Sequence, residues 1–351
     1  MILAAPLAVT AQEAERVVVR SAASLVGQAT GADQTRAEIT ASADLFADVL
    51  LGPTVLHVYV EGGTTPRRHG VSTRVPFANM DAGTAVGSRG NGRIQLSELR
   101  LAWSVGERTV VHAGLMDLTG FLDVSRISND ENLYFLAQPF VNNPTIAFPD
   151  YTLGGALLTS LEALPAGRLT FSVASSHGIA DSPEASYARL LDLDDPEKGV
   201  FLAGRFAWEE GHWRGSLGAW GSTGNRVESD PAGQPLPDRG LFSVLGWAGD
   251  VHSLDGRFGV ARGHDDSEVF IGVTWLGTLA SNAVGIGVAR TPGLPHFVDR
   301  VGAHAEAFVR RSVWHTVYLT SSVQWLSQDL LPDLTKDDGL WIFGVWISAI
   351  M

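Results

Sequence analysis

The sequence predicts an all-β protein, a transmembrane antiparallel β-barrel of about sixteen strands with one loop folded inward. Three observations support the barrel. Segments of about ten residues alternate between apolar and polar side chains. Gly, Asp, Asn or Pro separate these segments, and the connections are either short or long. No apolar run approaches the ~20 residues of a membrane-spanning helix, which excludes a helical membrane protein.

The alternation is clearest in the segment that starts at Ala37. From Ala37 to Leu45 every odd position is apolar and every even position is polar, so one face of the strand is apolar and the other is hydrated. Segments of this kind lie near residues 15–28, 36–50, 54–62, 92–104, 108–116, 152–163, 167–178, 199–210, 212–223, 240–251, 256–264, 267–279, 282–291, 300–311, 313–326 and 339–351.

The connections between these segments are of two kinds. Leu164–Arg168, Glu209–His212, Ser253–Gly256 and Leu279–Asn282 are predicted to be short turns. Other connections are long, and the longest runs from 117 to 150. Short turns on one rim and long loops on the other are typical of an outer-membrane barrel.

The composition of the apolar face distinguishes a barrel from a soluble β-sandwich, which also alternates. This face often carries Ala and Gly beside aromatic residues, whereas a packed core would be dominated by bulky side chains. Aromatic residues cluster near strand ends, where the headgroups of a bilayer would lie. We therefore expect lipid bilayer and lipopolysaccharide around the barrel in a bacterial outer membrane. The aromatic residues concerned are Trp103, Trp208, Trp213, Trp247, Trp275, Trp325, Trp341 and Phe343.

Composition also excludes several kinds of function. The chain has 38 Asp and Glu against 25 Lys and Arg, and its formal charge of −13 argues against nucleic-acid binding. It has no cysteine, which excludes a thiolate zinc site and a Cys nucleophile. Because no G-x-S-x-G, H-E-x-x-H or Walker motif is present, we expect no enzyme and no cofactor. Weak Ca²⁺ binding is expected only at the acidic pairs 194–195, 265–266 and 337–338.

The first residues have the character of an export signal. Residues 1–11 form a short apolar stretch that ends in the small-x-small triplet Val9–Ala11. We interpret 1–11 as the remnant of a signal peptide and 12–351 as a single outer-membrane barrel.

Residues 112–156 carry a series of short motifs whose order and spacing are specific. The series resembles the carbohydrate-selective porins of bacterial outer membranes, the OprB-type family. The resemblance implies a sixteen-stranded barrel, passive uptake of sugars and a constriction loop, which falls on 117–150. The matching elements are Gly114–Asp117, Phe121, Asn129–Asp130, Phe135–Leu136, Val141–Pro144, Phe148–Pro149 and Leu153–Gly155.

A pore that selects sugars needs paired hydrogen-bond donors and acceptors and an aromatic platform, without one dominant charge. The polar faces of the predicted strands mix acids and bases, as this requires. Each such residue can instead be a hydrated wall residue, and Trp220 can instead belong to the aromatic girdle. The predicted constriction residues are Arg126 and Asp130 from the loop, opposite Glu98, Arg100, Glu306 and Arg310 from the wall, with Trp220 as a stacking platform.

The function predicted from these features is passive, selective diffusion of mono- and oligosaccharides through a water-filled barrel. Two alternatives stay open. The same barrel can serve as a general porin or a porin for another small solute, or it can anchor an outer-membrane enzyme or adhesin. The sequence does not distinguish a monomer from a homotrimer.

Overall fold

The computed structural model is a closed antiparallel β-barrel of sixteen strands, which confirms the predicted fold class. Each strand pairs with its neighbours in sequence, and β1 pairs with β16 to close the ring. The part of the chain that it describes contains no helix that is long and apolar enough to cross a membrane. The described residues are 16–82, 91–127, 129–162, 166–179, 187–191, 199–223, 239–262, 267–292, 301–331, 334 and 339–351, so the predicted signal remnant, 1–11, lies outside them.

Each of the sixteen strands coincides with a segment predicted from the alternation. Their bounds are β1 Val17–Thr30, β2 Glu38–Leu51, β3 Thr54–Gly63, β4 Ile94–Val105, β5 Thr109–Met116, β6 Thr152–Ser160, β7 Gly167–Ser175, β8 Val200–Glu210, β9 Trp213–Ser222, β10 Arg239–Ala248, β11 His252–Arg262, β12 Ser267–Leu279, β13 Asn282–Pro292, β14 Val301–Trp314, β15 Val317–Leu326 and β16 Leu340–Ile350.

One predicted turn was wrong. Ser253–Gly256 lies within β11, and the turn comes earlier, between Ala248 and His252. Asp and Gly favour turns in isolation. Here Asp255 is paired on both sides, with Gly246 of β10 and Thr274 of β12, so the ladder overrides the local preference.

The outer face of the barrel is apolar. Leu25, Leu45, Leu99 and Val273 point outward and are 44–49% exposed, although they lie well inside their strands. Exposed aromatic residues mark both ends of this belt: Trp103, Trp213 and Trp314 at one rim, and Trp341 and Phe343 at the other. A closed ring with such a belt leaves no backbone group unpaired in lipid. The barrel is therefore that of an outer-membrane protein.

The two rims differ in the length of their connections. Seven short connections lie at one rim, which we call the turn rim, and the longest of them runs from 161 to 166. The long connections lie at the opposite rim, which we call the loop rim. Two of these matter below: the second loop, 64–93 between β3 and β4, and the third loop, 117–151 between β5 and β6.

Both loops fold into the barrel, so the buried core lies between the loops and the inner wall. The entry of the third loop is the inward fold expected from the sequence. The second loop was not expected to enter. Its helix α1, Val71–Arg74, and Phe77 pack with Leu326 and Ile342 of the wall. Gln28 and Gln324 both donate hydrogen bonds to the carbonyl oxygen of Ala78, at 3.0 and 2.9 Å.

Candidate functional site

The third loop lies against one side of the inner wall. Its apolar side chains form two clusters with inward-facing aromatic residues of β8 to β16, among them Phe201, Phe242, Phe270 and Phe308. The polar inward side chains that keep contact with water lie mainly on β1 to β5, where those of Arg20, Asp48, His57, Glu98 and Arg100 are 17–32% exposed. The part of the lumen that keeps contact with water, here called the passage, therefore lies between β1 to β5 and the third loop.

Two of the predicted constriction residues are buried beneath the third loop. Glu306 is 1% exposed, and its carboxylate accepts hydrogen bonds from the backbone N–H groups of Leu136 and Ala137 at 3.2 and 2.9 Å. Trp220 is 4% exposed, and its indole N–H donates to the carbonyl oxygen of Thr145 at 3.1 Å. Both side chains face the lumen, as the alternation predicts, but they hold the loop and lie away from the water of the passage.

Trp220→Phe is expected to lower the free energy of unfolding by about 1 kcal/mol, because the Thr145 carbonyl group loses its indole donor. Urea titration in lipid vesicles, followed by the gel mobility of folded and unfolded protein, measures this difference. Trp314→Phe is the control, since Trp314 is 70% exposed at the turn rim. Equal losses in both variants would contradict a specific role for the indole N–H.

Glu98 and Arg100 form an ion pair at the wall of the passage. Arg100 Nε lies 2.7 Å from Glu98 Oε2, and its guanidinium also contacts Nδ1 of His112 at 2.6 Å. The same guanidinium lies 5.4 Å from the centre of the Phe121 ring of the third loop. The structure thus places this pair where wall and loop meet.

Arg310 joins the wall to the tip of the third loop. Its guanidinium lies 5.2 Å from the ring centres of both Tyr134, on the loop, and Tyr318, on β15. It also donates a hydrogen bond to the carbonyl oxygen of Leu133. Asp130 caps the same turn, accepting the N–H of Leu133 at 3.0 Å. Arg310 and Asp130 are therefore brought together at the loop tip.

Arg126 lies apart from the other predicted residues. Its guanidinium pairs with Glu209 of β8 at 2.8 Å, and both side chains are largely exposed, at 41% and 53%. Glu209 lies next to the end of β8 at the turn rim. The structure therefore does not place Arg126 opposite Glu98 and Arg100.

Five carboxyl groups form an acidic group in the part of the passage nearer the loop rim. The sequence does not predict that they lie together. Asp44 accepts hydrogen bonds from Tyr59 at 2.9 Å and from Asn132 of the third loop at 3.3 Å. The other members are Glu61 from the wall, Asp81 from the second loop, and Asp117 and Glu131 from the third. Only the folding of both loops brings these residues together.

Burial sets the charge of the three loop members of the acidic group. Burial, with the neighbouring Glu98 carboxylate, raises the pKa of Asp117 to about 6. Burial, with the neighbouring Asp81, raises the pKa of Glu131 to about 8. Burial likewise raises the pKa of Asp81, whose carboxylate accepts a hydrogen bond from Ser24 at 2.8 Å.

Arginines lie below the acidic group, towards the turn rim. Arg20 pairs with Asp48 at 2.5 Å, and Asp48 also contacts His57 of β3. The inward arginines are five residues or fewer from the turn-rim ends of their strands, whereas Asp44 and Glu61 are seven residues away. Asp44 and Glu61 therefore lie nearer the loop rim than these guanidinium groups do, whereas the carboxylates of Asp48 and Glu98 lie beside Arg20 and Arg100. The arginines concerned are Arg20, Arg100, Arg205, Arg214, Arg257 and Arg310.

The described residues contain no group of three or more His, Asp or Glu side chains arranged to hold a metal ion. The acidic pairs 194–195, 265–266 and 337–338, at which the sequence predicts weak Ca²⁺ binding, lie outside the described residues.

Comparison with solved structures identifies the architecture. The chain superposes on Pseudomonas putida OprB at high pH with a TM-score of 0.71 and 14% identity, covering 95% of this chain and 94% of that one. The chain has the fold of the sixteen-stranded porins. Salmonella typhi OmpF, in complex with daunomycin, gives a TM-score of 0.60 at 10% identity over 95% of this chain and 97% of that one. The trimer form of Vibrio cholerae OmpT gives 0.56 at 9% over 96% and 100%.

Sequence comparison reaches less of the chain. No family model matches it. An uncharacterized protein of Aquifex aeolicus is 42% identical over 48 residues, which is 14% of this chain and 16% of that protein. At these identities the porin likeness establishes the fold.

Proposed function

We propose that the protein is an outer-membrane channel for the passive diffusion of sugars. The observation that carries this proposal is the passage between β1 to β5 and the third loop, where an acid–arginine pair and aromatic rings line one water-accessible path. Glu98 and Arg100 supply acceptors and donors for sugar hydroxyl groups. Tyr59, which stacks on Phe46 at 4.3 Å, and Tyr134 supply ring faces and hydroxyl groups.

The pairing of charges along the passage favours an uncharged solute. Arg20 pairs with Asp48 and Arg100 pairs with Glu98, and burial keeps the Glu131 carboxyl mostly neutral at pH 7, so neither sign of charge dominates the passage. A sugar needs no net charge to bind and can exchange its water shell for hydroxyl, carboxylate and guanidinium partners. The likeness in fold to Pseudomonas putida OprB across 95% of this chain is consistent with such a channel.

Swelling of liposomes that contain the purified protein tests this proposal. We expect glucose and maltose to enter faster than gluconate or arginine, which carry charges. Arg100→Ala is expected to lower the rate of glucose entry by about threefold or more, since the passage loses the hydrogen-bond donors of the guanidinium group. Arg108→Ala is the matched control, because Arg108 is 51% exposed and pairs with Glu162 at the turn rim.

The other outcomes separate the alternatives. Equal rates for glucose, gluconate and arginine would replace the sugar channel with a general small-solute porin. No swelling above that of protein-free liposomes would instead leave the barrel as an anchor for an outer-membrane enzyme or adhesin.

A further inference from the structure

Strand β11 makes several of the contacts that fasten the third loop to the wall. Three successive inward positions of this strand carry Asp255, Arg257 and Gly259. Asp255 and Arg257 are 1% and 3% exposed, although both carry charges. Buried charges are costly unless they are paired, so their partners define what the strand holds in place.

Asp255 binds the first limb of the third loop, here residues 123–126. Its carboxylate accepts hydrogen bonds from the Ser125 hydroxyl and from the backbone N–H of Arg126, the latter at 3.2 Å. Arg214 of the neighbouring β9 lies 3.0 Å from the same carboxylate oxygen.

Arg257 binds the first limb and also the second limb of the third loop, here residues 139–145. Its guanidinium pairs with Asp123 on the first limb and donates to the carbonyl oxygen of Pro139 on the second, at 3.3 Å. Asp123 also accepts the backbone N–H of Asn143 at 2.7 Å, so one carboxylate joins the two limbs to each other and to the wall.

Gly259 makes room for the second limb. A Cβ atom at this position would lie 1.9 Å from Thr145 Oγ1 and 2.7 Å from Asn143 Oδ1. Asn143 uses the close approach to donate to the carbonyl oxygen of Phe258 at 3.1 Å. A larger residue at 259 would displace the Thr145 and Asn143 side chains, which hold the second limb.

We propose that Asp255, Arg257 and Gly259 are positioning residues of the channel, which set its aperture by clamping both limbs of the third loop to β11. The loop tip that carries Asp130, Glu131 and Asn132 lies between the clamped limbs. The clamp does not itself touch the passage. It fixes the two limbs from which the tip projects, and it adds to the direct contacts of the tip with Asp44 and Arg310.

Single-channel recording in planar bilayers with KCl tests the clamp. Arg257→Gln and Asp123→Asn are each expected to raise the mean conductance about twofold or more and to add current noise, since a released loop samples a wider passage. Because an ion pair joins the two residues, the double variant is expected to raise the conductance by less than the product of the two single effects. Arg262→Gln, an exposed position at the end of the same strand, is the control and should keep the wild-type conductance.

Folded Arg257→Gln and Asp123→Asn channels with wild-type conductance and noise would overturn the proposal, as would effects that multiply in the double variant. If neither single variant folds, Gly259→Ala decides, because its Cβ atom displaces the Thr145 and Asn143 side chains without unpairing a charge. Wild-type conductance and noise in that variant would overturn the proposal. These readings use potassium and chloride currents, so they stand whether or not sugars are the natural solute.

Discussion

Leu99→Arg is expected to prevent most of the protein from folding into lipid vesicles. Leu99 lies in the middle of β4, points outward and is 44% exposed at the surface of the barrel. An arginine on the lipid face near the bilayer midplane costs about 2–4 kcal/mol, which lowers the folding equilibrium constant roughly 30-fold to 900-fold. The fraction of protein that migrates as folded barrel on unheated gels measures the loss.

The matched control places the same side chain on the other face of the wall. His57 of β3 pairs across the ladder with Arg100, points inward and contacts the Asp48 carboxylate. His57→Arg should therefore fold nearly as well as the wild type, since its charge has water and a partner. Equal folding yields for the two variants would mean that the outer face is not in contact with lipid.

The strands could be predicted because a barrel in a membrane imposes its environment on every second residue. Leu45 and Asp44 differ in polarity because one meets lipid and the other the lumen, and this difference is visible without knowing any contact. The prediction failed locally at Ser253–Gly256. There, residues typical of turns are used inside β11 for contacts with the third loop, more than 100 residues away in sequence.

The site could be predicted only in part, because the alternation gives the face of a side chain but not what covers it. Glu306 and Trp220 were predicted to face the lumen, and they do, yet the third loop buries both. The sequence contains one signal for the inward fold of the second loop. Val71, Val75 and Phe77 are apolar residues in a long connection, where solvated side chains are the norm.

The preference of the channel for cations over anions is expected to increase with pH. A carboxyl group with a raised pKa is neutral below that pKa and negative above it. Asp117, with a pKa of about 6, and Glu131, with a pKa of about 8, are both mostly neutral at pH 5 and both mostly negative at pH 9. The passage thus gains negative charge in two steps, and the cation-to-anion permeability ratio should rise about threefold or more.

The reversal potential across a bilayer with a KCl gradient measures this ratio at pH 5, 7 and 9. Glu131→Gln should reduce the rise between pH 7 and 9, and Asp117→Asn the rise between pH 5 and 7, because each amide stays neutral. A ratio that is constant or falls with rising pH in the wild-type channel would contradict the placement of the acidic group on the solute path.

The raised pKa of Glu131 also predicts how the stability of the folded protein changes with pH. The pKa of Glu131 is higher in the folded protein than its ordinary value of 4.5, so folding favours the neutral acid. Its ionisation therefore destabilises the folded protein as pH rises from that value towards 8, and the full penalty is present above 8. Glu131→Gln removes the penalty, and urea titration should find the variant more stable than the wild type at pH 9 and equally stable at pH 4. A variant that is less stable at pH 9 would mean that the charged carboxylate, rather than the neutral acid, is the form that the closed loop binds.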